Sequence, residues 1–270
     1  MGDRLLREVR DGVLLLTWNR PERKNAFDDE AWRAFRDALD EARTAPHVAV
    51  VVVTGAGGDF SAGVDLTSFR AAGQPGDAPV AGVAEHPFGR CMQALCAFDK
   101  PLVAAARGVA VGFGATFLLH CDLVYVGESL RLRFPFVGLG LVPEAAASFL
   151  LPAMIGSRRA AELLFTAEWV GAERALEMGI ATRALPDAEL LSAALEKARE
   201  IASWPVSALQ ATKQTLLRSR EAGVRAALVS EAELMTKLAG SPENVEAVVA
   251  FLQKRAPDFA RFRTARDPVS

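Results

Sequence analysis

The stretch that most constrains this chain is residues 48–54, VAVVVVT. It is apolar or β-branched throughout, with no alternation between apolar and polar positions. A strand of that kind has to be covered on both faces, which an interior parallel strand between layers of helix achieves. Residues 102–106 read as a second buried strand, and residues 14–18 and 123–126 as two more. Asp28, Asp29 and Glu30 supply the acidic first turn of a helix whose Trp32, Phe35, Leu39 and Ala42 recur at spacings of three and four. Residues 88–98 and 115–120 read as further helices, and Gly55, Gly57, Gly58, Gly108, Gly112 and Gly114 crowd the strand ends. This alternation predicts an α/β domain built from right-handed βαβ units.

With 270 residues, 51% of them hydrophobic, the chain is long enough for a substantial core. Its 31 basic and 33 acidic side chains leave a net charge of −2. No global field attracts nucleic acid or an anionic membrane, so neither partner is expected and recognition of an anion must be local. The apolar runs are far shorter than the roughly 20 residues of a membrane-spanning helix. The first ten residues carry Asp3, Arg4, Arg7, Glu8 and Arg10, which does not resemble a secretory leader, and a cytoplasmic location is expected. Cys91, Cys96 and Cys121 lack CxxC spacing, and His47, His86 and His120 are scattered. No metal site is expected, and Cys121 and His120 are read as core residues.

Two regions stand apart. Residues 67–87 lose periodicity around Gly73, Pro75, Gly76, Pro79 and Gly82 and read as a long irregular segment facing the substrate or simply disordered. From about residue 189 the sequence reads as helical, with breaks at Pro205, Gly240, Pro242 and Pro257. The chain is therefore divided into a core, 1–188, and a helical region, 189–270. The apolar faces of those helices need a surface to cover, either in an oligomer and over the active site or on the chain's own core.

Four segments carry a resemblance: NRPERKNAF at 19–27, VVVTGAGGDFSAGVDL at 51–66, KPLVAAARGVAVGFGATFLLHCDLVYV at 100–126 and FPFVGLGLVPE at 134–144. In that order, with the ELLFTAEWVGAERALEMGIATRALP stretch, they resemble the enoyl-CoA hydratase/isomerase (crotonase) superfamily. The resemblance implies an α/β spiral of ββα units with a C-terminal helical region, assembled as a homotrimer or dimer of trimers. It also implies an acyl-CoA substrate with no permanently bound cofactor, since coenzyme A enters as part of the thioester.

By the same resemblance, the backbone N–H groups of Val64 and Phe113 form an oxyanion hole for the thioester enolate. Gly112 and Gly114 around Phe113 are also what close packing of a turn on a helix requires. Arg23 and Lys24 approach the CoA phosphates or are simply solvated surface cations, Ala62 meets the adenine, and Lys254 or Arg255 offers a further phosphate contact, within the chain or across a subunit boundary. Ala26, Asp65, Leu66, Gly112 and Phe136 complete the expected substrate-binding set, although Asp65 in its turn also suits a capping or loop role, and Asp122 is read as structural. The two glutamates of family hydratases fall on Thr116 and Phe136, neither of which can act as a carboxylate base. That leaves Glu144, at the place of the acidic residue of isomerase-like relatives, closest in pattern to Δ3,Δ2-enoyl-CoA isomerases. A proline followed by glutamate is equally ordinary at a helix start. The readings are thus an isomerase using Glu144, a hydratase or other crotonase-type enzyme, or an acyl-CoA-binding protein without catalysis.

Overall fold

The computed structural model of the chain describes residues 3–65 and 86–263. Among these residues a six-stranded sheet runs in the order β1 (Leu5–Arg10), β2 (Val13–Trp18), β3 (Val50–Gly55), β4 (Leu102–Ala106), β6 (Leu123–Gly127) and β8 (Arg183–Leu185). A two-stranded parallel sheet joins β5 (Val109–Val111) to β7 (Arg131–Arg133). From β2 to β8 every pairing in the large sheet is parallel, and Val51 of β3 stands between Leu14 and Leu102.

The continuous apolar run has the cause inferred from it. Val51 and Val53 face one core, with Phe35 and Leu39 of α1 (Asp29–Thr44) and Leu95 of α2 (Pro87–Ala97). Val50 and Val52 face a second core, closed by Leu190, Ala194 and Ala198 of α7 (Asp187–Ala202). Helix α7, assigned from sequence to the tail, therefore covers the back of the sheet. Strand β1 was not expected. It pairs antiparallel at the sheet edge and buries Leu5 alone, so its sequence carries no strand alternation. The helix expected over 115–120 is shorter and tighter: α3 spans Phe113–Thr116 and passes into a 3-10 turn, Phe117–His120.

Beyond β7, α4 (Ala147–Ile155), α5 (Ser157–Thr166) and α6 (Ala172–Met178) lead to β8. The tail continues as α8 (Val206–Leu238) and α9 (Pro242–Leu252), with Pro205, Gly240 and Pro242 at the breaks. One stripe of α8 lies on the chain's own core. There Lys213 is buried and pairs with Asp122 at 2.5 Å, while Asp122 also accepts the Leu102 N–H, so Asp122 is structural. Leu216, Val229 and Leu234 on α8 remain exposed.

The motif at 19–27 works through Asn25, a buried residue at φ 55°. Its carbonyl oxygen accepts the Arg20 N–H, and its amide donates to the carbonyls of Ala56 at 2.9 Å and Asp59 at 2.7 Å. It thereby ties the loop after β2 to the loop after β3. Asn25→Ala leaves those carbonyls unsatisfied and places alanine in a left-handed conformation. Urea unfolding is expected to show a loss of about 2–4 kcal/mol, from lost hydrogen bonds and stranded polar groups.

Candidate active site

The loop after β3 returns against β5 backbone to backbone. Ser61 N–H donates to Val109 and Val111 N–H donates to Ser61, both at 2.9 Å. The buried Ser61 hydroxyl donates to Asn25 O and accepts from Gly63 N–H, which shapes the turn. Gly63 sits at φ 81°, and a Cβ on it would lie 2.6 Å from Val111 O and 3.1 Å from Phe113 N. A Cβ on Gly114 would lie 2.3 Å from Ser61 O. No side chain fits between these segments at either position, so the glycines are there for close approach.

That approach orients two free amides. Phe27 N–H donates to Gly63 O and Asp65 N–H donates to Phe27 O, so the intervening Val64 N–H points away from Phe27. Phe113 N–H opens α3 and is one of the amides a helix start leaves without an internal partner. Neither donates a hydrogen bond to any described residue. Both residues lie on the wall of one cavity of about 1450 Å³, and Gly63 brings their segments into contact. The Phe113 ring is fully buried, 5.0 Å from Phe27 and 4.5 Å from Trp32, so it is fixed by the aromatic core.

Glu144 lines the same cavity, and its Oε1 is buried without a hydrogen-bond partner. Burial lifts its pKa, the Glu231 carboxylate adds to the rise, and a hydrogen bond from Thr116 opposes it, leaving a value of about 8. Sequence left open whether burial or a helix N-terminus governs this group. Burial prevails because the amides that start α4 go elsewhere: Ala146 N–H and Ser148 N–H, each at 2.8 Å, donate to Glu231 of α8. Two consecutive left-handed alanines, Ala145 and Ala146, both at φ 58°, separate Glu144 from α4. His120 pins that turn through Nε2 and Ala145 O at 2.7 Å; burial drops its pKa to about 4, so it is neutral and donates from this nitrogen.

Glu231 was missed in the sequence, and Thr116 was noted there only for lacking a carboxylate. The available signal for Glu231 was its place as an acid among Ala227, Leu228 and Met235, a locally apolar part of its helical stripe. Phe136, at the other hydratase-glutamate position, is buried and lines the cavity.

Most of the expected substrate-binding residues converge on the cavity: Arg23, Lys24, Ala26, Ala62, Asp65 and Gly112 all line it. Arg23 is exposed and makes no ion pair among the described residues, whereas Lys24 pairs with Asp59 at 3.1 Å. Asp65 accepts from Arg20 at 2.7 Å, which supports its loop role over that of an acid catalyst. Lys254 is exposed and stands off the cavity wall, and Arg255 is held by Glu246 at 2.6 Å, so neither reaches the site in the chain by itself. Leu66 and the segment expected to cover the site, up to residue 85, lie outside the described residues. Among the described residues no cluster of three His, Cys, Asp or Glu side chains is placed to hold a metal, and no helix is long and apolar enough to cross a membrane.

Residues 8–262 match the Enoyl-CoA hydratase/isomerase family. The chain belongs to that family. It is 35% identical to the 2,3-dehydroadipyl-CoA hydratase of Escherichia coli, over 92% of this chain and 94% of that one. It is 31% identical to enoyl-CoA delta isomerase 2 of Rattus norvegicus, over 90% of this chain and 62% of that one. An enoyl-CoA hydratase/isomerase structure from Pseudoalteromonas atlantica superposes with a TM-score of 0.87 at 35% identity, covering 95% of this chain and 99% of the other. The crotonase-type fold, and with it an acyl-CoA enzyme of the hydratase/isomerase kind, follows.

The raised pKa of Glu144 links to stability with a definite sign. The folded state holds a proton that the unfolded state releases near 4.5, so this contribution is complete below 4.5 and is lost as pH rises through about 8. Glu144→Gln mimics the neutral carboxyl. Its stability relative to the wild type is expected to increase by up to about 1.4 kcal/mol per pH unit between those values, then level off, as read by denaturant titrations across pH.

Proposed function

We propose that this enzyme is an enoyl-CoA isomerase that moves a double bond between C3 and C2 of an acyl-CoA, with Glu144 as the proton shuttle. The observation that carries the reading is a buried carboxylate with an unpartnered oxygen on the wall of the cavity onto which the two free amides open. The ionised Glu144 takes a proton from C2 of the 3-enoyl thioester. The electron pair moves onto the thioester oxygen, which accepts hydrogen bonds from Val64 N–H and Phe113 N–H. The dienolate then collapses as the newly protonated Glu144 returns the proton at C4. Loss of one such amide donor typically costs about 2.7–4 kcal/mol of transition-state stabilisation.

Isomerisation needs one free carboxylate, whereas hydration by two glutamates needs a pair. Each other carboxylate on the described cavity wall is engaged: Asp65 by Arg20, Asp99 by Gln210 and Gln214, Glu221 by Arg225, and Glu231 by backbone amides. A pKa of about 8 also suits a group that must both take and return a proton near neutral pH. The cavity exceeds the roughly 300–1,000 Å³ of ordinary small-molecule sites, which fits a coenzyme A thioester. In this reading Arg23, on the cavity wall, is assigned to its phosphates and Ala62 to its adenine, without a resident cofactor. The exposed Leu216 and Leu234, on one face of α8, are the surface we assign to assembly as a homotrimer or dimer of trimers in the cytoplasm.

The hydratase name of the 35% identical relative favours a second reading, water addition to 2-enoyl-CoA at the same site. Turnover of both substrate types separates the two. For the wild type, kcat/KM for 3-enoyl-CoA isomerisation is expected to rise with pH and flatten above about 8, as the base ionises. Glu144→Gln is expected to lower isomerisation by roughly 10²–10⁴ while CoA-ligand binding survives. Hydration of 2-enoyl-CoA that survives the substitution would exclude this assignment, and ligand binding without turnover in the wild type would favour a non-catalytic acyl-CoA-binding protein.

A further inference from the structure

Arg218, Glu221 and Arg225 of α8 line the cavity, and the inward stripe of the same helix brings three further charged residues over it, Lys213, Arg220 and Glu231, with Leu217, Val224 and Leu228 between them. Two have protein partners: Lys213 pairs with Asp122, and Glu231 accepts the Ala146 and Ser148 amides. Arg220, half-buried, makes no hydrogen bond or ion pair among the described residues. Of the other described carboxylates on this wall, Asp99 is held by Gln210 and Gln214, and Glu221 by Arg225.

Its position in the cavity gives that charge a direction. Lys213, about two helical turns before Arg220, pairs with Asp122 just past His120 and Cys121, and Arg220, His120 and Cys96 line the same cavity, which places Arg220 toward the C-terminal end of the run formed by α3 and its 3-10 continuation. Arg23 and Lys24 stand with Ala62, whose N–H donates to Lys24 O, by the N-terminal end of the same run. Phe88, Met92 and Leu95 of α2 line the cavity as well. A ligand held by its phosphates near Arg23 thus has an apolar wall to run along and a guanidinium beyond the reacting centre. A guanidinium meets a carboxylate through two parallel N–H···O bonds, a geometry that a hydroxyl or a methyl end cannot match.

We propose that Arg220 binds a carboxylate at the far end of the acyl chain, so that the preferred substrates are CoA thioesters of ω-carboxylated chains. This deepens the acyl-CoA reading of the cavity and rests on it. The competing account is that the Arg220 stem lies along Leu217 and Val224 and its head is simply solvated.

The test compares, in the wild type and Arg220→Gln, CoA thioesters that end in a carboxyl or a methyl group, over a series of chain lengths. Binding of the saturated thioesters is measured by calorimetry and turnover of the 3-enoyl thioesters by kinetics. At the best-fitting length the wild type is expected to favour the carboxyl end by about 10-fold or more, from the strength of a charged hydrogen-bond pair. In Arg220→Gln that ratio is expected to fall to near one. Arg220→Lys, which keeps the charge and loses the fork, is expected to lie between and separates lost recognition from lost folding. Equal binding of the two ends by the wild type, or a preference that Arg220→Gln retains, overturns the proposal. Calorimetric preference that depends on Arg220, without turnover of any 3-enoyl thioester, upholds this subsite while removing the proton-shuttle reading.

Discussion

The backbone of residues 61–64 lies against that of residues 109–113, joined by hydrogen bonds on both sides of Ser61 and closed at Gly63 and Gly114, where no Cβ fits. The site depends on this contact. It turns two amides from segments far apart in sequence toward one cavity and gives neither an internal partner. The parallel sheet supplies the rigidity behind it, since β3 and β4 are adjacent interior strands and each of the two loops leaves from one of them. Asn25 and the aromatic packing around Phe113 hold the same two loops from outside. Fixed dipoles aimed at a developing negative charge need no reorganisation when that charge appears, which makes such an arrangement useful in catalysis.

The second constraint is electrostatic. Two carboxylates from distant parts of the chain approach each other in a buried setting; burial raises the pKa of both, and their hydrogen bonds set them apart. Glu231 is surrounded by hydrogen-bond donors and has a structural task, completing the start of α4. Glu144 is buried, has an oxygen with no donor, and feels Glu231 as a like charge, so it holds its proton to about pH 8. Both pass through one strained turn, the left-handed pair Ala145 and Ala146, and His120 fixes that turn from the other side. A left-handed conformation disfavours alanine by about 1–2 kcal/mol per residue, and here the surrounding hydrogen bonds hold it. The helical tail is therefore part of the site as well as a cover, because α8 brings both Glu231 and Arg220 to the cavity.

The interior of the fold was legible in the sequence because its signals were local and dense. Residues 102–106 form a strand with the bounds read for it, and the valine run of β3 is covered on both faces. Strand β1 was not legible, because an edge strand that buries only its first residue leaves no pattern. β5, β7 and β8 are each three residues long, too short for periodicity to mark. At the site, the resemblance pointed to Val64, Phe113 and Glu144, and these line one cavity. It could not place Glu231, which meets a turn 85 residues away in sequence, nor show that Thr116, read as a missing base, is the hydroxyl beside Glu144. Arg255 is held by the buried Glu246, and Lys254 lies off the cavity wall of its own chain; the phosphate contact read for them, across a subunit boundary, is not one that a single chain displays.

The central claim is that Glu144 is protonated at neutral pH and titrates near 8 while Glu231 remains the acceptor of the α4 amides. The most direct measurement is an infrared titration of the substrate-free protein with isotope-labelled glutamate, differenced against Glu144→Gln to isolate the carboxyl band of this residue. The account predicts a protonated-carboxyl band at pH 7 that disappears with a midpoint near 8. A band that disappears near the ordinary carboxylate value of 4.5 would contradict it, because Glu144 would then be a solvated surface acid in all but position.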